Sequence, residues 1–185
     1  MYYHCSPIHG LKKLEPKKPR HFDKPALVYM TTLLPMALMY GIRNFEYTYG
    51  YTKDGRIYYE EYFPDALQIL YAGKNASLYL CRPEMTDATQ IPNEVVSQLE
   101  VEIVDEVYIP DVMQALLEQE QQGNLVIRRY GELSPRMLEW IFRAELEEIR
   151  KRDLLHTPCP MADYMQRYYP AVWAAARNKE RTPED

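Results

Sequence analysis

Glycine is sparse in this chain, and its placement excludes the commonest nucleotide-binding loops. The seven glycines never fall as Gly-x-Gly-x-x-Gly or as Gly followed five residues later by Gly-Lys, so neither a Rossmann fingerprint nor a P-loop is available to cradle phosphate. Cysteine is scarcer still. Cys5, Cys81 and Cys159 are three in number, far apart and without a Cys-x-x-Cys pair, which argues against a disulfide framework and against a zinc site. Cys81 reads as a buried small hydrophobe. His9, His21 and His156 show no metal-ligand spacing either, so no metal is expected. Long hydrophobic runs are also missing. The longest uncharged stretch, Pro25 to Ile42, contains Pro35 and the Thr31-Thr32 pair, so no membrane span and no membrane partner are expected. Lys12 and Lys13 interrupt the region where a signal peptide would carry its apolar core, and a cytoplasmic location follows as the expectation. Repeats and low-complexity tracts are absent as well.

What is present is the composition of a globular protein. A chain of 185 residues, 46% hydrophobic and 26% charged, is long enough for one domain with a proper core and short for two. We expect one structural unit, an α+β domain over residues 1–130 with a helical C-terminal extension over 131–180 packed on it. Charge is unevenly spread. Between Lys12 and Lys24 six basic residues face Glu15 and Asp23, a local +4, so the rest of a chain of net charge -5 carries -9. Such a segment either holds phosphate or nucleic acid or is a solvated loop, and Pro16, Pro19 and Pro25 favour a loop.

Periodicity and turn chemistry outline the elements. Tyr2–Cys5 and Ala26–Thr31 read as strands. Pro35 reads as the first-turn proline of a helix running to Tyr40, with the Thr31-Thr32 hydroxyls at its start. Tyr47–Tyr51, the turn Lys53-Asp54-Gly55 and Arg56–Tyr62 form a hairpin, because Asp-Gly tolerates the positive backbone angles of such turns. Ser77–Cys81 is a further strand. Glu94–Val104 supplies one or two more, with Leu99, Val101 and Ile103 alternating against Glu100 and Glu102. Asp111–Gln121 reads as a helix stopped by Gly123, and Leu125–Tyr130 returns to strand. Ser134-Pro135 opens a helix whose apolar face is Leu138, Ile141, Phe142 and Ile149; another helix starts near Ala162, breaks at Pro170 and resumes through Trp173. Strands followed by helices imply an α+β fold rather than a doubly wound one.

The histidine and tyrosines carry the functional pattern. His4 stands in Tyr3-His4-Cys5-Ser6-Pro7 on the first strand, Tyr29 in Val28-Tyr29-Met30-Thr31 on the second, and Tyr40 closes Ala37-Leu38-Met39-Tyr40 on the helix that follows. This order resembles the ADP-ribosyltransferase family in its histidine-tyrosine-glutamate branch, to which diphtheria toxin and the poly(ADP-ribose) polymerases belong. The resemblance covers roughly residues 2–104. It implies a split antiparallel sheet core and an enzyme that cleaves NAD, its substrate, at the nicotinamide–ribose bond and transfers ADP-ribose to an acceptor, protein or nucleic acid. By the same resemblance His4 would bond a ribose hydroxyl, the backbone beside it at Cys5 would grip the nicotinamide amide, Tyr29 would form the cleft wall, and Tyr40 would stack on the nicotinamide ring. An aromatic face suits a flat, cationic ring.

The family's third element is a glutamate at the start of a later strand, beside the charge that develops at the anomeric carbon. Asn93-Glu94-Val95-Val96-Ser97 supplies Glu94 for that role, with Glu100 and Glu102 as rivals. Two positions depart from the family pattern. Cys5 stands where glycine is usual, so a side chain would project toward the carboxamide, and Ala37 or a neighbour replaces the serine that bonds the amide. A second reading stays open beside this one: a non-catalytic nucleotide-binding or protein-interaction module on the same fold, using the cleft or an aromatic face of Tyr168, Tyr169, Val172 and Trp173. The tyrosines of the hairpin, Tyr47, Tyr49, Tyr51, Tyr58, Tyr59 and Tyr62, could form a stacking platform; with little basic charge around them they read more simply as sheet core with polar rims.

Overall fold

The computed structural model describes residues 1–18 and 25–180. His21, Arg20 and Lys24 lie outside the described residues. In chain order the strands are β1 (Tyr2–Ser6), β2 (Lys13–Leu14), β3 (Val28–Thr31), β4 (Tyr49–Tyr51), β5 (Ile57–Glu60), β6 (Ala76–Arg82), β7 (Asp87–Ala88), β8 (Glu94–Ser97), β9 (Val101–Ile109) and β10 (Leu125–Arg128). The helices are α1 (Leu34–Met39), α2 (Ala66–Tyr71), α3 (Val112–Gln121), α4 (Pro135–Lys151), α5 (Pro160–Tyr168) and α6 (Pro170–Glu180). The fold class is α+β, with every registered strand pair antiparallel. Two compact units divide the chain: residues 1–59 with 67–127, and residues 60–66 with 128–185.

The first unit is built on a seven-stranded sheet of order β2-β9-β6-β1-β3-β8-β7 and a three-stranded sheet of order β10-β5-β4. Two central pairings matter for function. Tyr3 of β1 lies opposite Thr31 of β3, and Thr31 in turn lies opposite Glu94 of β8. Three segments distant in sequence are thereby brought side by side. The core between the sheets and α1 is apolar: Cys5, Met36, Leu38, Met39, Ile57, Tyr59 and Tyr71 are all buried. Burying side chains of this size stabilises by roughly 1.5–3 kcal/mol each.

Local chemistry explains the element ends. Asp111 caps α3 by accepting from the Gln114 N–H at 3.1 Å, and Gly123 past its end takes φ +77°, an angle that glycine adopts without steric cost. In the hairpin, Gly55 takes φ +84° and Tyr49 pairs with Tyr59. At the start of α1 the sequence expectation needs correcting. The cap residue is Leu33, which makes no side-chain cap bond; the Thr31 hydroxyl accepts from the Leu33 N–H at 3.0 Å, one step earlier. Leu99, expected on a half-buried sheet face, is exposed in the turn between β8 and β9.

The second unit holds α4, α5 and α6. Ser134 caps α4 by accepting from the Met137 N–H at 3.2 Å. Ile141 and Ile149 of α4 are buried, and with them Glu145. Phe63 centres an aromatic cluster: it stacks on Tyr168 at 4.6 Å and meets Tyr164 and Tyr169 edge-on. Tyr169 and Val172, read from sequence as part of a presentable face, are instead 5% exposed. No described helix is long and apolar enough to cross a membrane.

Candidate nucleotide site

A cavity of about 630 Å³ opens in the first unit, and its lining includes His4, Cys5, Tyr29, Tyr40 and Glu94 together. These five residues come from β1, β3, the end of α1 and β8. Glu100 and Glu102 do not line it; Glu100 pairs with Lys13 at 2.7 Å instead.

Each side chain is held by identifiable contacts. The His4 Nδ1 lies 2.9 Å from the Tyr29 carbonyl oxygen, so it is the nitrogen that carries the proton and donates. The Nε2 of a neutral ring is then the acceptor. Withdrawal from solvent pushes the His4 pKa below its ordinary 6.5, against the raising effect of that bond. The imidazole is therefore neutral at pH 7.

Glu94 opens β8 and is 9% exposed. The turn before it explains why. Asn93 adopts φ +64°, a left-handed conformation for which asparagine is among the better-suited residues. Its carbonyl accepts from the Thr32 N–H at 3.0 Å, and the Tyr51 hydroxyl donates to the Pro92 carbonyl at 2.5 Å. A side-chain partner completes the arrangement: the Thr89 hydroxyl donates to Glu94 Oε1 at 2.9 Å. Thr89 is a partner of Glu94 that sequence reading missed, because the link depends on the fold of the turn between them.

Tyr40 and Tyr47 form an aromatic wall, with ring centroids 4.4 Å apart and planes inclined by 33°. Tyr47 also lines the cavity; the sequence placed it only in the hairpin. The Tyr40 hydroxyl is 3.0 Å from that of Tyr49. Burial above all, then this bond and, further down, the Glu94 charge raise the Tyr40 hydroxyl well above its ordinary value, so it stays protonated. The Glu94 charge also raises Tyr49 and Tyr51, behind burial in each case. A carboxylate thus stands among neutral phenols.

Cys5 is only 4% exposed, and burial pushes its thiol up to about 12. Its sulfur lies so close to Gly41 that a β-carbon there would be 2.8 Å away. The side chain is spent in packing β1 against the end of α1, and it carries no thiolate at neutral pH. Ala37 lines the cavity as a buried, non-bonding surface. Among the described residues no cluster of three or more His, Cys, Asp or Glu side chains could hold a metal ion.

Chemically, the cavity offers a neutral imidazole, a two-ring aromatic wall and one buried carboxylate on a mostly apolar lining. Set against models of known protein families and against curated protein sequences, the chain matches none.

Proposed function

We propose that the first unit is an ADP-ribosyltransferase-like domain, and that its cavity takes the nicotinamide end of NAD as substrate. The observation that carries this reading is the convergence on one cavity of His4, Tyr29, Tyr40 and Glu94, the residues to which the family resemblance gives roles.

The roles follow from chemistry. His4 offers Nε2 to a ribose hydroxyl while the Tyr29 carbonyl holds the ring in place. Tyr40, backed by Tyr47, gives the pyridinium an aromatic surface. Glu94 acts on the reacting carbon. As the bond between the anomeric carbon and the nicotinamide nitrogen breaks, its electron pair leaves with nicotinamide, which becomes neutral. Positive charge then develops on the ribose, and a fixed carboxylate in a site of low dielectric stabilises it. An oxygen or nitrogen of the acceptor bonds the same carbon and loses a proton. Holding the carboxylate through Thr89 before substrate arrives avoids reorganisation during the reaction.

The alternative, a binding module without catalysis, would gain from a carboxylate turned away from the cavity; Glu94 lines it. Isothermal titration of NAD tests the substrate assignment: wild type should give saturable heat and the Tyr40→Ala variant much weaker binding. No heat with wild type would remove the proposal.

A further inference from the structure

A second cavity of about 550 Å³ shares His4 and Tyr29 with the first, and its other lining residues include Lys12, Lys13, Lys17 and Lys18, with Glu15 as the sole acidic one among the described residues. The cation balance is one-sided. Lys13 is occupied by Glu100 at 2.7 Å and Glu15 at 3.4 Å; Lys12, Lys17 and Lys18 make no ion pair with a described residue. In a chain of net charge -5, three lysines around one concavity with no ion-pair partner among the described residues suit an anion.

Lys13 and Lys17 are anchored by backbone pairing, and Lys12 and Lys18 stand next to them in sequence. Lys17 exchanges both backbone bonds with Leu27, at 3.1 and 3.2 Å, immediately before β3. Lys13 belongs to β2. Tyr29, at the divide between the two cavities, is 38% exposed, so its ring offers an aromatic surface beside the cations. Spaced lysines with an exposed aromatic are what an unpaired polynucleotide recognises: phosphates on the ammonium groups and a base on the ring.

We propose that this second cavity binds single-stranded nucleic acid and that such a strand is the ADP-ribose acceptor. This rests on the transferase reading of the first cavity. Lys12, Lys17 and Lys18 hold successive phosphates, Tyr29 stacks a base, and the shared wall delivers the strand to the reacting carbon. A nitrogen or oxygen of the nucleic acid then bonds the anomeric carbon and gives up a proton to solvent, while the bond to nicotinamide breaks and its electron pair leaves with neutral nicotinamide.

The test is fluorescence anisotropy with labelled DNA and RNA oligonucleotides, single-stranded and duplex. Three phosphate contacts to a single strand predict an affinity that falls roughly 20-fold between about 50 and 200 mM salt. The Lys17→Ala/Lys18→Ala double variant, altering two exposed side chains, should flatten that dependence. Tyr29→Ala should weaken single-strand binding by about 5-fold or more and leave duplex binding unchanged. Absence of oligonucleotide binding at low salt, or binding indifferent to the lysine variants, overturns the proposal. So does displacement of the oligonucleotide by pyrophosphate with parallel loss of NAD affinity in the lysine variants, which would give the cavity to the dinucleotide's own phosphates. Nicotinamide release, followed with and without oligonucleotide, separates the two readings. Release with no oligonucleotide binding removes the acceptor and keeps the transferase, and oligonucleotide binding with no release in either condition removes the transferase and the acceptor role with it.

Discussion

Replacing Gly41 with alanine should destabilise the first unit through one crowded point beneath the cavity. A β-carbon at Gly41 would lie 2.8 Å from the Cys5 sulfur, 3.0 Å from the Leu38 carbonyl oxygen and 3.1 Å from the Ala76 β-carbon. Two of those neighbours are backbone or β-carbon atoms that cannot swing aside, so the added methyl must push α1 and β1 apart. Overpacking of this kind costs about 1–3 kcal/mol. The unfolded chain loses freedom on the same change, which offsets about 0.4–1 kcal/mol. The net loss should be about 1–2 kcal/mol, read as a lower urea midpoint with an unchanged slope. A Cys5→Gly change removes the closest of the three contacts. The double variant should therefore be more stable than the sum of the single effects, by about 1 kcal/mol. Gly41→Ala as stable as wild type, or effects that add within about 0.5 kcal/mol, would refute the claim that the Cys5 side chain is committed to this packing.

Thr89→Val keeps the shape of the side chain and removes the donor to Glu94; it should lower kcat for nicotinamide release several-fold while leaving KM little changed, a split that separates positioning from binding. The His4 pKa lies below its unfolded value, so the folded protein binds fewer protons than the unfolded chain at acid pH. Stability from this group is complete above about pH 6.5 and falls as pH drops through that value toward the lower native one; urea titrations of wild type and His4→Gln should diverge there, and parallel curves would contradict the assignment. Ser134→Ala should cost about 1 kcal/mol by leaving the Met137 N–H without its cap, seen as a lower unfolding midpoint for the second unit.

Much of the scaffold was legible because its signals are local. Pro35, Asp111, Ser134 and the Asp54-Gly55 turn mark starts and reversals through backbone chemistry that acts within a few residues. What could not be read depends on distant partners. Helix α2 has six residues, too short for a periodic signature and for nucleation alone; it persists because Leu67 and Tyr71 are buried in the core. Strand β9 continues to Ile109 through exposed Asp105, Glu106 and Tyr108 because β6 supplies hydrogen-bond partners along its length, whereas alternation of hydrophobicity fades past Val104. Glu145, polar yet buried on α4, breaks the pattern a helical wheel expects. Within the site, residue types and order pointed to His4, Tyr29, Tyr40 and Glu94, while Thr89 and Tyr47 were hidden by their dependence on a turn and on ring stacking. The fate of the Cys5 side chain was equally unreadable, since Gly41 had first to be brought beside it.

The central claim rests on the Glu94 carboxylate acting at the reacting carbon, and nicotinamide release from NAD by wild type and Glu94→Gln measures it most directly. The glutamine keeps an acceptor for Thr89 and nearly the same volume, so folding and NAD affinity should hold. Loss of the charge should cut kcat by about 100-fold or more, on the order of 3 kcal/mol of transition-state stabilisation. Equal release by the two proteins, or none from wild type under any acceptor, would contradict the account.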